Sequence, residues 1–142
     1  MPYSTDIERA SALAAIAHAG AVDKAGAPYI EHPKRVAARL EEPAEKVVAL
    51  LHDVVEDTDT TLDKIRECFG PETAEAVNAI THRKGEPWAD YLARVKANPI
   101  AKAVKIPDLI DNSNLSRIPH VTMKDVKRQA KYNKALKKLL ED

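Results

Sequence analysis

Apolar side chains recur every three or four residues along most of this chain, which is the spacing of one face of an α-helix. Nowhere do four or more residues alternate between apolar and polar, as a half-buried strand requires. Residues that begin and end helices recur as well: prolines suited to first turns, with threonines and glycines at the ends. The pattern therefore predicts an all-α bundle of about eight helices.

Caps, prolines and apolar spacing give each predicted helix its bounds. The helices run from a capping box at Thr5–Glu8 to about Ala19, from Pro33 to about Leu40, from Ala44 to about Val55, from Thr60 or Thr61 to Gly70, from Glu72 to about Thr81, from Trp88 to Lys96, from Pro99 to about Ile110, and from Thr122 to about Leu140. Pro107 is expected to kink or restart the seventh helix, because Ala103 loses its hydrogen-bond partner. No repeat and no linker rich in glycine or serine interrupts the chain, so residues 1–142 are expected to form one domain.

Composition excludes several classes of protein. The 22 Lys and Arg residues of this 142-residue chain balance its 22 Asp and Glu residues. A chain without net charge has no overall field that attracts nucleic acid or an anionic membrane, so local cations must bind any anionic ligand. There is no signal-peptide pattern and no run of about 18 apolar residues, which predicts a soluble, cytoplasmic protein. The single cysteine, Cys68, excludes an internal disulfide and a cysteine-rich zinc site.

The segment Leu50–Asp59, which reads LLHDVVEDTD, joins a buried pattern to ionisable groups. The apolar run before it is expected to be buried, yet it leads directly to His52-Asp53 and then to Glu56-Asp57. Burying such groups is costly unless they have a charge partner. Each member of the first pair lies four residues before one of the second, along the same side of a helix. We expect a metal ion to be the partner; the alternative is an amphipathic helix with a solvated polar end.

Two further segments offer metal ligands. His32 precedes Pro33 at the start of the second predicted helix, and Asp108 lies four residues before Asn112 in the seventh. Together with the central His-Asp pair they make two imidazoles and two carboxylates, a set that suits Mn²⁺, Fe²⁺ or Mg²⁺ better than a structural zinc. Either Asp108 or Asp111 is expected to be a ligand, and spacing alone does not decide between them.

Four short motifs occur in a fixed order along the chain: His32-Pro33, then LHDVVEDT at Leu51–Thr58, then Phe69-Gly70-Pro71-Glu72, then VKIPD at Val104–Asp108 with Asn112. This set resembles the HD-domain hydrolases of guanosine tetraphosphate and pentaphosphate. These include the hydrolase half of the bifunctional Rel/SpoT enzymes and the stand-alone, Mesh1-like small alarmone hydrolases. The resemblance extends from about Glu8 to Leu140 and implies an HD-domain helical bundle.

The resemblance also implies a role for each candidate site residue. The metal ligands are His32, His52, Asp53 and Asp108, usually around Mn²⁺; the catalytic acidic pair is Glu56 and Asp57; and the substrate contacts are Lys24, Asn112, Arg128 and Tyr132. The implied reaction removes the 3′-diphosphate of the nucleotide as pyrophosphate and leaves GDP or GTP. The bound cation makes water nucleophilic, and the acidic pair orients that water and moves its protons.

The chain also departs from the family pattern. Asp23 stands where these hydrolases usually have arginine, Ala25 where they often have serine, and Pro107 where alanine is usual. The loss of a cation at residue 23 leaves the base specificity open. Two alternatives therefore remain: an HD phosphohydrolase of another nucleotide, such as a nucleoside monophosphate or the 2′-phosphate of NADPH, and a non-catalytic nucleotide-binding or antitoxin-like module. The oligomeric state is not predicted.

A row of five lysines occurs along the last predicted helix. The spacing is 3, 4, 3 and 4 residues, which places them on one face, and no aromatic residue shares that face. This pattern is typical of a solvated helix face rather than a nucleic-acid interface. Trp88 and Tyr91 are expected to anchor the core. The lysine stripe consists of Lys124, Lys127, Lys131, Lys134 and Lys138.

Overall fold

The computed structural model describes residues 2–141, with side chains from residue 6 onward. The helices are α1 (Pro2–Ala17), α2 (Glu31–Ala38), α3 (Pro43–Leu51), α4 (Val54–Asp57), α5 (Leu62–Phe69), α6 (Pro71–Ile80), α7 (Trp88–Ala97), α8 (Pro99–Asn112) and α9 (Met123–Leu140). Within this range the β pairing is one isolated bridge between Val22 and Pro28. The prediction of an all-α bundle is confirmed.

Two helices form the centre of the bundle. All five residues from Val47 to Leu51 in α3 are buried, and a helix segment that is apolar on every side must be covered on every side. It packs against α1, α2, α6 and α8. Helix α8 packs in turn against α2, α3, α6, α7 and α9. The C-terminal end of α3 and the polar residues of α8 are therefore held next to each other inside the protein.

The third predicted helix is interrupted, which the hydrophobic pattern does not show. Helix α3 ends at Leu51, and α4 is a single turn that begins at Val54. In an unbroken helix His52 and Asp53 would point about 100° apart. At the break Asp53 adopts φ −102° and ψ −5°, and its Oδ2 atom lies 3.1 Å from Nε2 of His52. The interruption thus directs two adjacent side chains to the same point.

Two other helices differ from the prediction. Helix α8 continues through Pro107 from Pro99 to Asn112 instead of restarting there. The packing of α8 against five neighbouring helices offsets the hydrogen bond that the proline removes. Helix α1 begins at Pro2, before the predicted cap at Thr5, because proline is well suited to a first turn. The side chain of Thr5 lies outside the described side chains.

Several local signals are confirmed. Thr61 caps α5, and Gly70, with φ +93°, separates α5 from α6. Thr122 and Asp125 form a reciprocal capping box at the start of α9. Over residues 2–141 we find no helix that combines the length and the apolar character needed to cross a membrane.

Candidate metal centre and adjacent cavities

Four predicted ligand side chains converge at the centre of the bundle. Residues 32 and 108 lie in α2 and α8, and residues 52 and 53 form the turn between α3 and α4. Nε2 of His32 is 2.9 Å from Oδ1 of Asp108 and 3.6 Å from Oδ2 of Asp53. Nε2 of His52 is 3.1 Å from each of the same two oxygens. All four carry little solvent exposure, so the structure brings buried nitrogen and oxygen donors to one point.

The donor set fits a divalent cation. Nδ1 of His52 is 2.5 Å from the carbonyl oxygen of Ala49, and Nδ1 of His32 is 2.6 Å from Oδ2 of Asp111. Each Nδ1–H therefore donates to an acceptor, which leaves the Nε2 lone pairs facing carboxylate oxygens. Adjacent ligand atoms of an octahedral ion with bonds of about 2.1 Å lie about 3.0 Å apart. Three of the four distances between a histidine Nε2 and a carboxylate oxygen are close to this value.

Electrostatics at the two imidazoles lead to the same conclusion. Burial alone would lower the pKa of His52, but the Asp53 and Asp108 carboxylates outweigh it and raise that pKa well above its usual value. The pKa of His32 is also raised, since its hydrogen bonds to Asp108 and Asp111 outweigh burial. Positive charge is therefore favoured at this point, and a cation would supply it in place of protons.

Asp111 holds the candidate ligand His32 rather than joining the four converging donors. Its Oδ2 atom accepts the Nδ1–H of His32, and Arg35 donates from Nε to Oδ1 at 2.8 Å and from Nη2 to Oδ2 at 3.0 Å. Arg117 Nη2 is 3.5 Å from Oδ1. Burial opposes the charge on Asp111, but the hydrogen bonds from His32 and Arg35 lower its pKa well below the usual range. Arg35 was missed by sequence reasoning; its position three residues after His32, on the same face of α2, is the signal that points to it.

Asp108 and Asp53 also receive hydrogen bonds from neighbouring side chains. Lys105 Nζ lies 2.8 Å from Oδ2 of Asp108, and Nδ2 of Asn112 donates to Oδ1 at 3.0 Å. Despite burial, the Asp108 charge raises the pKa of Lys105, so this ammonium stays protonated. The hydroxyl of Tyr29 donates to Oδ2 of Asp53. The predicted substrate residue Asn112 thus contacts a candidate ligand directly.

Glu56 and Asp57 lie beside this centre and reach solvent through the mouth of a cavity. Oε2 of Glu56 accepts the backbone N–H of His82 at 3.4 Å, which leaves Oε1 without that contact. Partial burial, followed by the charge of Asp53, raises the pKa of both carboxyl groups. A carboxylate with a raised pKa is a better proton acceptor near neutral pH.

Two cavities lie on either side of the centre. The first, of about 410 Å³, is called the arginine pocket; its walls include Lys24, Arg35, Arg117 and Arg128. The second, of about 310 Å³, is called the carboxylate chamber; its walls include Asp53, Glu56, Asp57 and Asp108. The two cavities share the side chains of Tyr29, Asn112 and Tyr132. All four predicted substrate residues therefore line the arginine pocket, two of them at its boundary with the chamber.

The unusual Asp23 shapes a wall of the arginine pocket. Its Oδ1 atom accepts the backbone N–H groups of Ala25, at 2.9 Å, and Ala27, at 3.0 Å. Gly26 between them has φ +85°, a conformation that glycine adopts without strain. The carboxylate is therefore used to form the loop that carries Lys24.

The aromatic residues predicted as core anchors differ in their surroundings. Tyr91 is buried, and its hydroxyl donates to the carbonyl of Ile80 at 2.5 Å. Trp88 is only partly buried: it packs against the edge of the core and also lines the carboxylate chamber. His82 lies against both rings: its ring centroid is 5.5 Å from that of Trp88 and 4.7 Å from that of Tyr91. One wall of the chamber is therefore aromatic.

Comparison with known proteins identifies the class. The family model described as the HD domain matches residues 10–141, nearly the whole chain. The chain therefore belongs to the HD-domain family. Its fold agrees with the solved structure of a metazoan ortholog of SpoT, described as hydrolyzing ppGpp and playing a role in starvation responses. The TM-score is 0.80 at 24% identity, over 96% of this chain and 85% of that one.

Two curated relatives show the level of similarity within the family. The guanosine-3′,5′-bis(diphosphate) 3′-pyrophosphohydrolase of Aquifex aeolicus (strain VF5) is 33% identical over 122 residues, or 78% of this chain. The corresponding pyrophosphohydrolase MESH1 of Homo sapiens is 40% identical over 102 residues, or 63% of this chain. The aligned region spans 18% of the Aquifex protein and 56% of the human one.

Proposed function

We propose that this chain is a divalent-metal-dependent hydrolase that removes the 3′-diphosphate of guanosine tetraphosphate and pentaphosphate. The products would be pyrophosphate and GDP or GTP. The observation that carries the proposal is the convergence of two imidazole nitrogens and two carboxylate oxygens between two cavities of different charge. The names of the relatives support the choice of substrate. We also propose that residues 1–142 form one domain, because α3 and α8 contribute to a common core.

The proposed ligands are His32, His52, Asp53 and Asp108, and the proposed cation is Mn²⁺. Two nitrogen and two oxygen donors suit Mn²⁺ or Fe²⁺, and Mg²⁺ is the third candidate. A divalent cation held there would acidify water and offset phosphate charge. Metal-free protein loaded with each ion in turn, and assayed for bound metal and for activity, tests this choice.

The residues around the ligands hold them and manage protons. Lys105 and Asn112 fix both oxygens of Asp108, and Tyr29 holds Asp53 by its hydroxyl group. Oε1 of Glu56, which is not occupied by the His82 backbone contact, accepts a proton from the attacking water. Asp57 assists from the same side of the chamber. A positioned carboxylate of this kind contributes a rate factor of about 10² to 10⁴.

The arginine pocket receives the rest of the nucleotide. Lys24 and Arg128 offer positive charge to phosphate oxygens, while Tyr132 and Asn112 lie at the boundary with the chamber. Local cations must supply the attraction because the chain has no net charge. A base would lie between the loop that carries Lys24 and the side of α9 that carries Arg128.

A nucleotide panel tests the proposal. The Mn²⁺-loaded protein is incubated separately with guanosine tetraphosphate, NADPH and nucleoside monophosphates, and pyrophosphate and orthophosphate are measured. We expect GDP and pyrophosphate from guanosine tetraphosphate. Orthophosphate from NADPH or a monophosphate would instead support a phosphohydrolase of another nucleotide, the function that Asp23 in place of the usual arginine favours. No product from any of them would support a non-catalytic module.

A further inference from the structure

We propose that Lys131, held over the indole ring of Trp88, is the cation in the carboxylate chamber that binds the phosphate group undergoing hydrolysis. The inference rests on the proposed function in one respect, that a phosphate enters this chamber. It gives a phosphate-binding role to one residue of the lysine stripe, which the sequence pattern places on a solvated helix face. The ligand class is a phosphate or diphosphate group, and inorganic pyrophosphate is the probe.

The chamber has a marked excess of negative charge. Its walls carry four carboxylates and two ammonium groups: Asp53, Glu56, Asp57, Asp108, Lys105 and Lys131. Even with a divalent cation bound, these charges sum to about zero. A phosphate group therefore gains no general attraction from the chamber and needs a cation that is directed at it.

Lys105 does not meet this need. Its Nζ atom lies 2.8 Å from Oδ2 of Asp108, and its side chain is only 12% exposed. Its charge is therefore paired with a candidate metal ligand. Moving it towards a phosphate would leave the buried carboxylate of Asp108 without its partner, which is costly in a protein interior.

Within the described part of the chain, Lys131 has an aromatic partner and, unlike Lys105, no acidic one. Its Nζ atom lies 4.1 Å from the centroid of the Trp88 ring, and among the described side chains no carboxylate lies within ion-pair distance of it. An aromatic face attracts an ammonium group without neutralising its charge. Trp88 is itself fixed by His82 and Tyr91, at centroid distances of 5.5 Å and 5.3 Å. The lysine is thus held at the chamber while its N–H donors stay available.

The position of Lys131 separates it from the rest of the lysine stripe. All five lysines are exposed on α9, but among the described residues Lys131 is the one stripe member that lines either cavity. Its neighbour Tyr132 lies at the boundary between the two cavities. Lys127, one helical turn earlier, is also an exposed lysine and lines neither. It therefore provides a matched control.

The only tryptophan of the chain is Trp88, so intrinsic fluorescence reports directly on this wall of the chamber. The Mn²⁺-loaded protein is titrated with inorganic pyrophosphate, and the dissociation constant is checked by calorimetry. We expect saturable binding in the wild type and in Lys127→Gln. Lys131→Gln should bind about 10- to 100-fold more weakly, the loss of one charge-assisted hydrogen bond, and Lys131→Arg should restore most of the affinity.

The same variants are then assayed with guanosine tetraphosphate, where Lys131→Gln should lower kcat/KM by a similar factor relative to Lys127→Gln. Equal pyrophosphate binding by these two variants, or no binding by the wild type, would overturn the inference. Hydrolysis by the wild type with equal pyrophosphate binding would overturn the role of Lys131 and leave the proposed function intact. Lys131-dependent binding without hydrolysis would support the phosphate site and contradict the proposed function.

Discussion

The arginine pocket and the carboxylate chamber differ in how their charges are used. In the arginine pocket the carboxylates of Asp23 and Asp111 are occupied by backbone and guanidinium groups, so positive charge faces the cavity. In the chamber carboxylates outnumber ammonium groups, and one of the two ammonium groups is paired with Asp108. The difference indicates a division of labour: one cavity suits the binding of an anionic nucleotide, and the other suits a cation and proton transfer.

The two imidazoles at the boundary show the same contrast. His52 is held by a backbone carbonyl, which no substitution of a side chain removes. His32 is held by Asp111, which is itself held by Arg35 and Arg117 from the arginine pocket. The side of the candidate metal centre that faces the arginine pocket is therefore built from side chains that mutation can alter.

The largest effect is expected from removing a ligand. Asp53→Ala and Asp108→Ala should both abolish Mn²⁺ uptake and reduce hydrolysis to background, because each removes a converging carboxylate oxygen. Bound metal is measured after dialysis, with circular dichroism to check folding. Asp108→Ala also leaves Lys105 buried without its anion, so Asp53→Ala is the cleaner variant. Retention of stoichiometric Mn²⁺ by Asp53→Ala would remove that residue from the ligand set.

Glu56→Gln should separate the chemistry from metal binding. The amide keeps the shape but accepts no proton, so kcat should fall by about 10² to 10⁴ while Mn²⁺ content stays unchanged. Asp59 is exposed and lies outside the two cavities, so Asp59→Asn is the control and should keep full activity. Loss of the metal in Glu56→Gln would mean that this carboxylate acts as a ligand instead.

Asp111→Asn tests the support of His32 from the arginine pocket. Replacing the carboxylate by a neutral amide should weaken Mn²⁺ binding by about 10- to 100-fold, as for other groups that orient metal-bound histidines. Titration of the metal-free protein with Mn²⁺ measures this. Arg35→Gln should have a smaller effect in the same direction, since it acts through Asp111. Wild-type affinity in Asp111→Asn would show that the histidine needs no charged partner.

The smallest effect concerns the cap of α9, the helix that carries Arg128 and Lys131 to the two cavities. Thr122→Ala should lower the free energy of unfolding by about 1 kcal/mol. Hydrogen bonds from the Thr122 backbone and from Arg128 lower the pKa of Asp125 to about 2. The ionised Asp125 carboxylate therefore stabilises the folded state above the ordinary carboxyl pKa, and this stabilisation is lost as the pH falls towards 2. Chemical denaturation at several pH values should show that Asp125→Asn removes part of this dependence.

Local signals in the sequence account for much of the fold. Gly70 and Thr122 stand where helices end and begin, since caps depend on residues close in the chain. The break at His52-Asp53 could not be predicted in this way. It brings two neighbouring side chains to donors from α2 and α8, whereas the apolar run before it predicts only continued helix. Pro107 likewise follows tertiary packing rather than its local preference.

The sequence predicts the candidate metal ligands but not the residues that hold them, because local signals do not show which distant residues meet. The predicted ligand set follows from the family resemblance, and the structure brings all four of these side chains together. The supports of that set are pairs of distant residues: Arg35 and Asp111 are 76 positions apart, and no spacing rule joins them. Lys131 is one of five similar lysines until the fold places Trp88 beneath it.

Anomalous diffraction from crystals soaked in Mn²⁺ would show directly whether a single cation lies between the two cavities. We predict one strong peak in contact with Nε2 of His32, Nε2 of His52, Oδ2 of Asp53 and Oδ1 of Asp108. The absence of a peak among these four atoms, or a peak bound by Asp111 in place of Asp108, would contradict this prediction.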